Sequence, residues 1–121
     1  MLINGLYKVI KYDRIFGREE GEISYVFEIE VNPAHKIFEG HFPQEPILPG
    51  VMSIQIIKEC CELLRGETLS YSSIGQCKFP AAINPAKDRN IKMAISLSNE
   101  DVIAEGSSAA GIFIKLKAKI R

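Results

Sequence analysis

The chain has 121 residues, and its 15 basic and 15 acidic side chains cancel to a formal net charge of zero. This balance creates no global field that would draw the protein to nucleic acid or to an anionic membrane, so neither is expected as a partner. A hydrophobic content of 46% and an aromatic content of 8% are ordinary globular values and argue against disorder. Because no composition break, linker or repeat divides the sequence, we expect a single domain over residues 1–121.

The three cysteines, Cys60, Cys61 and Cys77, have a spacing that fits neither a disulfide framework nor a zinc site. Reduced thiols that act as small core residues are the expectation, and they favour the cytoplasm. Polar residues follow residues 1–3 too soon for a signal peptide. No apolar run reaches the roughly 18 residues that a membrane span needs.

Two strands are predicted in the first third of the chain. Residues 6–16 mix aromatic and β-branched side chains with lysines, and residues 23–31 alternate apolar and polar side chains with a period of two. The polar, glycine-bounded residues 17–21 predict a hairpin turn between them. Residues 32–33, Asn-Pro, should end the second strand.

A helix is predicted from Gly50 to Arg65, with Gly66 as its C-terminal cap. Apolar side chains surround its first turns, which indicates burial on most sides. A helix of this length spans roughly 23 Å, which matches the width of one small sheet.

Three or so long strands are predicted after the helix. They cover residues 71–79, residues 91–98 and, after a turn at 99–101, a last strand from residue 102 that bends around the small residues 106–111. In the closing stretch the alternation points one set inward, Ile112, Ile114, Leu116, Ala118 and Ile120, and another outward, Lys115, Lys117, Lys119 and Arg121.

One helix can bury its whole circumference only if a curled antiparallel sheet wraps around it. A second copy of the chain is the simplest cover for the open side of the helix and the edges of the sheet. We therefore predict an α+β domain in which five to six curved antiparallel strands wrap a long central helix, in a homodimer or an assembly of dimers.

The loop before the helix contains the most distinctive motif of the chain. It consists of Gly40-His41-Phe42-Pro43, two further residues, and Pro46-Ile47-Leu48-Pro49-Gly50-Val51. One of only two histidines thus lies in a loop bounded by Gly and Pro, directly before a helix N-terminus. Because backbone N–H groups at a helix start favour developing negative charge, this arrangement points to acid–base chemistry.

This motif, with the apolar helix after it, resembles the signature of the hotdog-fold (3R)-hydroxyacyl-[acyl carrier protein] dehydratases of fatty-acid synthesis. Lys78-Phe79 before Pro80 is similar to the segment that follows the helix in that family. The motif covers about residues 38–51, whereas the strand order matches over most of the domain. The resemblance implies a hotdog fold, an acyl carrier protein as partner, and dehydration of a β-hydroxyacyl thioester to the trans-2-enoyl thioester without cofactor or metal.

The resemblance also implies roles for individual residues. His41 would remove the α-proton, and the backbone N–H groups of Gly50 and Val51 would stabilise the enolate-like thioester oxygen. In that family an acidic residue one helical turn further in, from the partner subunit, protonates the departing hydroxyl. The expected substrate-binding residues, which could also be plain core, are Phe42, Leu48, Pro49, Val51 and Phe79.

The chain departs from the family pattern at the acid, because Gln55 stands where those enzymes have Glu or Asp. An amide cannot deliver a proton as a general acid. Gln55 could orient the substrate while His41 shuttles the proton, Glu59 on the same helix face could substitute, or the chain could be a weak subunit beside an active partner. We favour the first. The layout with Gln is similar to dehydratase-like proteins of aryl-polyene and related pigment pathways.

Two other functions stay open at this stage. A hotdog acyl thioesterase would need a carboxylate to activate water, which Gln55 does not provide, although Glu59 could. A non-catalytic acyl-binding or heteromeric partner subunit would need no catalytic acid or base.

Simpler interpretations apply to several of these residues. His35 is expected to be structural, and Gln55 could be a hydrogen-bonded core amide. Glu59 and Glu62 are expected to be solvated. The outward lysines of the last strand are expected to be a solvated face, although they, with Lys87 and Arg89, could also dock an acidic carrier protein.

Overall fold

One antiparallel sheet and one long helix account for most of the chain. The structure, a computed structural model, describes residues 5–15, 22–39 and 47–121. In chain order its elements are β1 (Tyr7–Ile15), β2 (Ile23–Val31), one turn of 3₁₀ helix (Lys36–Phe38), α1 (Gly50–Arg65), β3 (Tyr71–Lys78), β4 (Asn90–Ser98), β5 (Asp101–Ser108) and β6 (Gly111–Ile120). The expected turn at residues 17–21 lies outside the described residues, as does Phe16.

The six strands form a single sheet in the order β1-β2-β4-β5-β6-β3, with every neighbouring pair antiparallel. Alternate side chains of β2, β4 and β6 are buried, and α1 packs against β4 and β6. The period-two patterns in the sequence therefore identified the inner face correctly over most of these strands. The start of β2 is an exception, because the apolar Ile23 is 37% exposed and the polar Ser24 is 2% exposed. The α+β hotdog layout is confirmed, with six strands around one helix.

The helix has the predicted bounds, and Gly66 ends it in the left-handed conformation at a φ of 69°. Its core face consists of buried side chains that include Ile56, Ile57 and both cysteines of the helix. The prediction of burial all round the first turns is wrong, because Val51 is 62% exposed. The sheet of one chain covers one side of the helix and leaves this position open.

The prediction of one bent strand after residue 102 is also wrong, because β5 and β6 form a hairpin. The turn is Ala109-Ala110, where the Ser108 hydroxyl accepts a hydrogen bond from the Ala110 N–H at 3.1 Å and Gly111 has a φ of 126°. Alanine is not a typical turn residue, so this turn has only a weak signal in the sequence. The expected bulge is present as a register shift between Gly106 and Ser107.

The inward and outward sides of β6 agree with prediction with one exception near its start. Ile114, Leu116, Ala118 and Ile120 are buried, and the lysines between them are exposed. Ile112 is only half-buried, and Phe113 takes its place in the core at 3% exposure. Both positions lie next to the register shift, which changes the phase of the alternation.

The cysteines are unpaired, and Cys60 and Cys61 are core residues, as expected. Cys77 is half-buried on β3. Within the three described ranges, no helix is both long and apolar enough to cross a membrane.

Gly106 lets β5 pass close to the core side chains of its neighbours. A Cβ at this position would lie 2.7 Å from Ile114 Cγ2, 2.7 Å from Phe113 Cζ and 2.8 Å from Met93 Sδ. Because all three atoms would have to move in a packed core, we expect Gly106→Ala to lower the free energy of unfolding by about 1–3 kcal/mol in urea titration. Gly75→Ala is the control, since its Cβ would meet only the Lys117 carbonyl oxygen at 3.6 Å. Equal stabilities of the two variants would contradict this packing argument.

Candidate active site at the start of the central helix

Two backbone N–H groups at the start of α1 have no partner inside the helix. The carbonyl of Pro49, the N-cap residue, accepts from the N–H groups of Met52 at 3.0 Å and Ser53 at 3.3 Å. The N–H groups of Gly50 and Val51 therefore have no acceptor within the helix. Among the described residues, no side chain caps this end and no acidic residue lies in the first turn, so none of them offsets the positive end of the helix dipole.

The ring of Phe79, directly after β3, lies against Gly50. A Cβ at Gly50 would be 2.6 Å from Cζ and 2.7 Å from Cε1 of this ring. Phe79 is itself 50% exposed. The structure thus brings Gly50 and Phe79 together, and it gives position 50 a reason to be glycine that the sequence did not reveal.

The other expected substrate-binding residues near the helix start differ in how deeply they are buried. Leu48 is in the core at 6% exposure, and its N–H donates to the Ile83 carbonyl at 2.9 Å. Pro49 is half-buried. Val51, the neighbour of Gly50 in the chain, is exposed, as is Phe79. Gly50, Val51 and Phe79 are called the entrance surface below.

His41 and Phe42 lie outside the described residues, so their roles stay predictions. The other histidine, His35, caps the 3₁₀ turn: its Nδ1 accepts a hydrogen bond from the Ile37 N–H at 3.1 Å. Its predicted structural role is confirmed.

A chain of hydrogen bonds lies one turn into the helix. The Nε2 group of Gln55 donates to Glu59 Oε2 at 3.3 Å, and the Tyr7 hydroxyl donates to Glu59 Oε1 at 2.6 Å. Val51, Gln55 and Glu59 are spaced by four, so they share one helix face that runs from the entrance surface to this buried carboxylate. Gln55 is half-buried, between the exposed Val51 and the buried Glu59.

The expectation that Glu59 and Glu62 are solvated is wrong. Glu59 is only 4% exposed, because Tyr7 of β1 covers it. Glu62 is half-buried; it pairs with Lys58 at 3.4 Å and accepts from the Leu69 N–H at 2.9 Å. Glu62 therefore holds the segment that follows the helix.

Tyr7 is the functional candidate that sequence reasoning missed. It lies on β1, far along the chain from Glu59, and no local spacing signals the contact. Burial first, and then the hydrogen bond to Glu59, raise the pKa of Tyr7 well above its ordinary value of 10.0. Burial also raises the pKa of Tyr71, and it raises the pKa of Cys61 from 9.0 to about 12.

The exposed lysines of β6 lie away from this face. Lys119 pairs with Asp101 at 2.9 Å, and Lys117 lines two adjoining grooves on the outer face of the sheet with volumes of about 540 and 580 Å³. Neither groove is lined by Gly50, Gln55 or Phe79. Within the part of the chain that the structure covers, no group of three or more His, Cys, Asp or Glu residues could hold a metal ion.

These raised pKa values predict a loss of stability in alkali. Each group keeps its proton longer when folded, so its contribution is fully present below its unfolded pKa and is lost as the pH rises above it. Unfolding free energy should therefore fall above about pH 9, and Tyr7→Phe should make the fall above pH 10 shallower by up to about 1.4 kcal/mol per pH unit. Urea titrations from pH 7 to 11.5 measure this. Parallel curves for the two proteins above about pH 10 would contradict it.

Comparison with known proteins identifies the group to which the chain belongs. The family model for ApeI-like proteins, described as ApeI dehydratase, matches residues 17–111. A 3-hydroxyacyl-[acyl-carrier-protein] dehydratase FabZ of Lactococcus lactis subsp. cremoris is 26% identical over 120 residues, covering 93% of this chain and 81% of the relative. The FabZ of Magnetococcus marinus is 27% identical over 113 residues, covering 85% of this chain and 72% of the relative.

Two solved structures have the same fold. An uncharacterized protein from Erwinia carotovora subsp. atroseptica superposes with a TM-score of 0.79 at 19% identity, covering 96% of each chain. The dehydratase heterocomplex ApeI:P from Xenorhabdus doucetiae superposes with a TM-score of 0.65 at 20% identity, covering 92% of this chain and 98% of the other. Because the ApeI-like family model matches most of this chain, the chain belongs to the ApeI-like dehydratase family, which is related to the FabZ dehydratases.

Proposed function

We propose that this protein is a (3R)-hydroxyacyl-[acyl carrier protein] dehydratase that forms the trans-2-enoyl thioester in fatty-acid or polyene synthesis. The observation that supports it most is the start of α1, where two N–H groups without an acceptor in the helix lie beside the apolar ring of Phe79. Donors in that position suit a thioester oxygen that gains negative charge. Related FabZ proteins are named for an acyl-carrier-protein substrate, which we extend to this chain. The three free thiols are kept reduced in the cytoplasm, where we place the protein.

The proposed reaction is a balanced elimination. The neutral imidazole of His41 takes the α-proton of the substrate, and the electrons of the broken C–H bond move toward the thioester oxygen, which the Gly50 and Val51 N–H groups stabilise. The carbon–carbon double bond then forms as the β-carbon–oxygen bond breaks. The imidazolium returns its proton to the departing hydroxyl, so water leaves and His41 is neutral again.

The positions of Gln55 and Glu59 favour an orienting role for Gln55. Glu59 lies about 6 Å deeper along the helix axis than Gln55, and its two oxygens already accept from Tyr7 and Gln55. Gln55 is closer to the entrance surface and retains an amide oxygen that could accept from the substrate hydroxyl. This arrangement supports His41, rather than Glu59, as the source of the proton.

The decisive variant is His41→Ala. We expect it to lower kcat/KM for hydration of a crotonyl thioester on acyl carrier protein by about 10²-fold or more, because a general base is lost. His35→Ala is the matched control: it removes the second histidine, which caps a surface turn, and should lower activity far less. The measurements are loss of enoyl absorbance and release of free thiol, followed in parallel.

The two assays separate the candidate functions. Enoyl hydration that survives His41→Ala unchanged would contradict the proposal. Release of free thiol without hydration would indicate the thioesterase alternative. Silence of the wild type in both assays would indicate a non-catalytic acyl-binding or heteromeric partner, an alternative favoured by Gln55 and by the similarity to a chain of a dehydratase heterocomplex.

We also propose that the chain works as a homodimer or an assembly of dimers. The apolar side chains Val51, Ile74 and Phe79 are 62%, 45% and 50% exposed, and β3, which carries Ile74, is an edge of the sheet. A second copy of the chain would cover these apolar side chains and the edge strand β3. Sedimentation equilibrium should give twice the mass of the chain, and Ile74→Lys should shift the protein toward monomer. A wild-type protein that is monomeric at micromolar concentration would contradict this arrangement.

A further inference from the structure

The hydrogen bonds around Glu59 determine which way the Gln55 amide points. A carboxylate only accepts hydrogen bonds, so the Gln55 group that faces Glu59 Oε2 at 3.3 Å must be its NH₂. The amide oxygen of Gln55 is then directed away from Glu59. Tyr7 occupies the other carboxylate oxygen at 2.6 Å, so Glu59 cannot rotate without leaving a buried hydroxyl unpaired.

The surroundings make this orientation stable. Tyr7 is 6% exposed and Glu59 is 4% exposed, so water has little access to either partner. A buried donor or acceptor without a partner is costly, and each group of the chain Tyr7–Glu59–Gln55 satisfies the next. The amide of Gln55, at one end of this set of hydrogen bonds, reaches a half-buried position.

We propose that Tyr7 and Glu59 are positioning residues that hold Gln55 with its amide oxygen toward the substrate, as an acceptor for the substrate's β-hydroxyl. The inference rests on the proposed dehydratase function and goes beyond it by assigning roles to Tyr7 and Glu59. An acceptor at this place directs the O–H group of the substrate hydroxyl toward the amide oxygen of Gln55. The oxygen of the hydroxyl then keeps a lone pair free to receive the proton from His41.

The sharpest test is Glu59→Gln, which keeps the size of the side chain. The Tyr7 hydroxyl still needs an acceptor, so the oxygen of the new amide faces Tyr7 and its NH₂ faces Gln55. Gln55 must then turn its own oxygen toward position 59 and present NH₂ to the substrate. We expect kcat to fall about tenfold or more, with KM changed by less than about threefold, because one transition-state hydrogen bond is reversed.

A second variant distinguishes orientation from simple damage to the fold. In Tyr7→Phe/Glu59→Gln, the new amide no longer has to face a hydroxyl and can turn its oxygen to the Gln55 NH₂. We expect the double variant to recover kcat by about threefold or more relative to Glu59→Gln. If the two substitutions only damaged the structure independently, their effects would add and the double variant would be slower than the single one. An unchanged kcat in Glu59→Gln, or a double variant no faster than the single one, would overturn the inference.

Tyr71→Phe is the matched control. It also removes a hydroxyl that hydrogen-bonds to α1, because the half-buried Tyr71 of β3 donates to the Ile54 carbonyl at 2.7 Å, but it leaves Glu59 untouched. It should leave kcat close to that of the wild type. A loss of kcat equal to that of Glu59→Gln would overturn the inference.

An NMR measurement separates this inference from the proposed function. The chain has three glutamines, so the side-chain amide signals of Gln55 can be assigned by their loss in Gln55→Leu. In the wild type one Gln55 amide proton should be shifted downfield by the carboxylate, and Glu59→Gln should abolish that shift while Tyr71→Phe preserves it. An inactive wild type that shows this pattern would contradict the dehydratase function but keep the orientation of Gln55. Gln55 signals that Glu59→Gln does not change would overturn the inference whatever the activity.

Discussion

The buried carboxylate of Glu59 is the group on which the arrangement of the site depends. A carboxyl group at 4% exposure is tolerated only where hydrogen bonds replace the lost water, and Tyr7 from β1 and Gln55 from the preceding helical turn both donate to it. Tyr7 is in turn fixed by the pairing of β1 with β2, where it lies opposite Val31. The edge strand, the helix and the candidate site are therefore joined by one carboxylate.

Both edges of the sheet contribute to this site. The order β1-β2-β4-β5-β6-β3 makes β1 and β3 the two edges, and each edge strand hydrogen-bonds to α1 through a tyrosine hydroxyl. Tyr7 of β1 covers the deep end of the helix face, whereas Phe79, directly after β3, lies on Gly50 at its start. Any second copy that pairs with the edge strand β3 would therefore lie next to the entrance surface, so assembly and site geometry are linked through the same strand.

Sequence periodicity predicted the elements that depend on local patterns. It gave α1 from Gly50 to Arg65, β2, and the inner face of β6, because burial there follows the repeat of the element itself. It failed at the turn Ala109-Ala110, whose residues have no turn preference, and at Glu59, whose burial depends on a strand far away in the chain. The motif resemblance revealed the unusual Gln55, but only three-dimensional contacts identify what Gln55 binds.

The amide at position 55 and the carboxylate at position 59 are best understood as one feature. A carboxylate at position 55 would face Glu59 across about 3.3 Å, and two like charges this close cannot both be ionised in a buried place. An amide avoids that repulsion, because it donates to Glu59 and keeps an oxygen for a second partner. A carboxylate one turn deeper thus disfavours an acid at position 55, and the proposed mechanism takes the proton for the leaving group from outside this pair. Within the proposed mechanism, the imidazole of His41 is the group that has just acquired one.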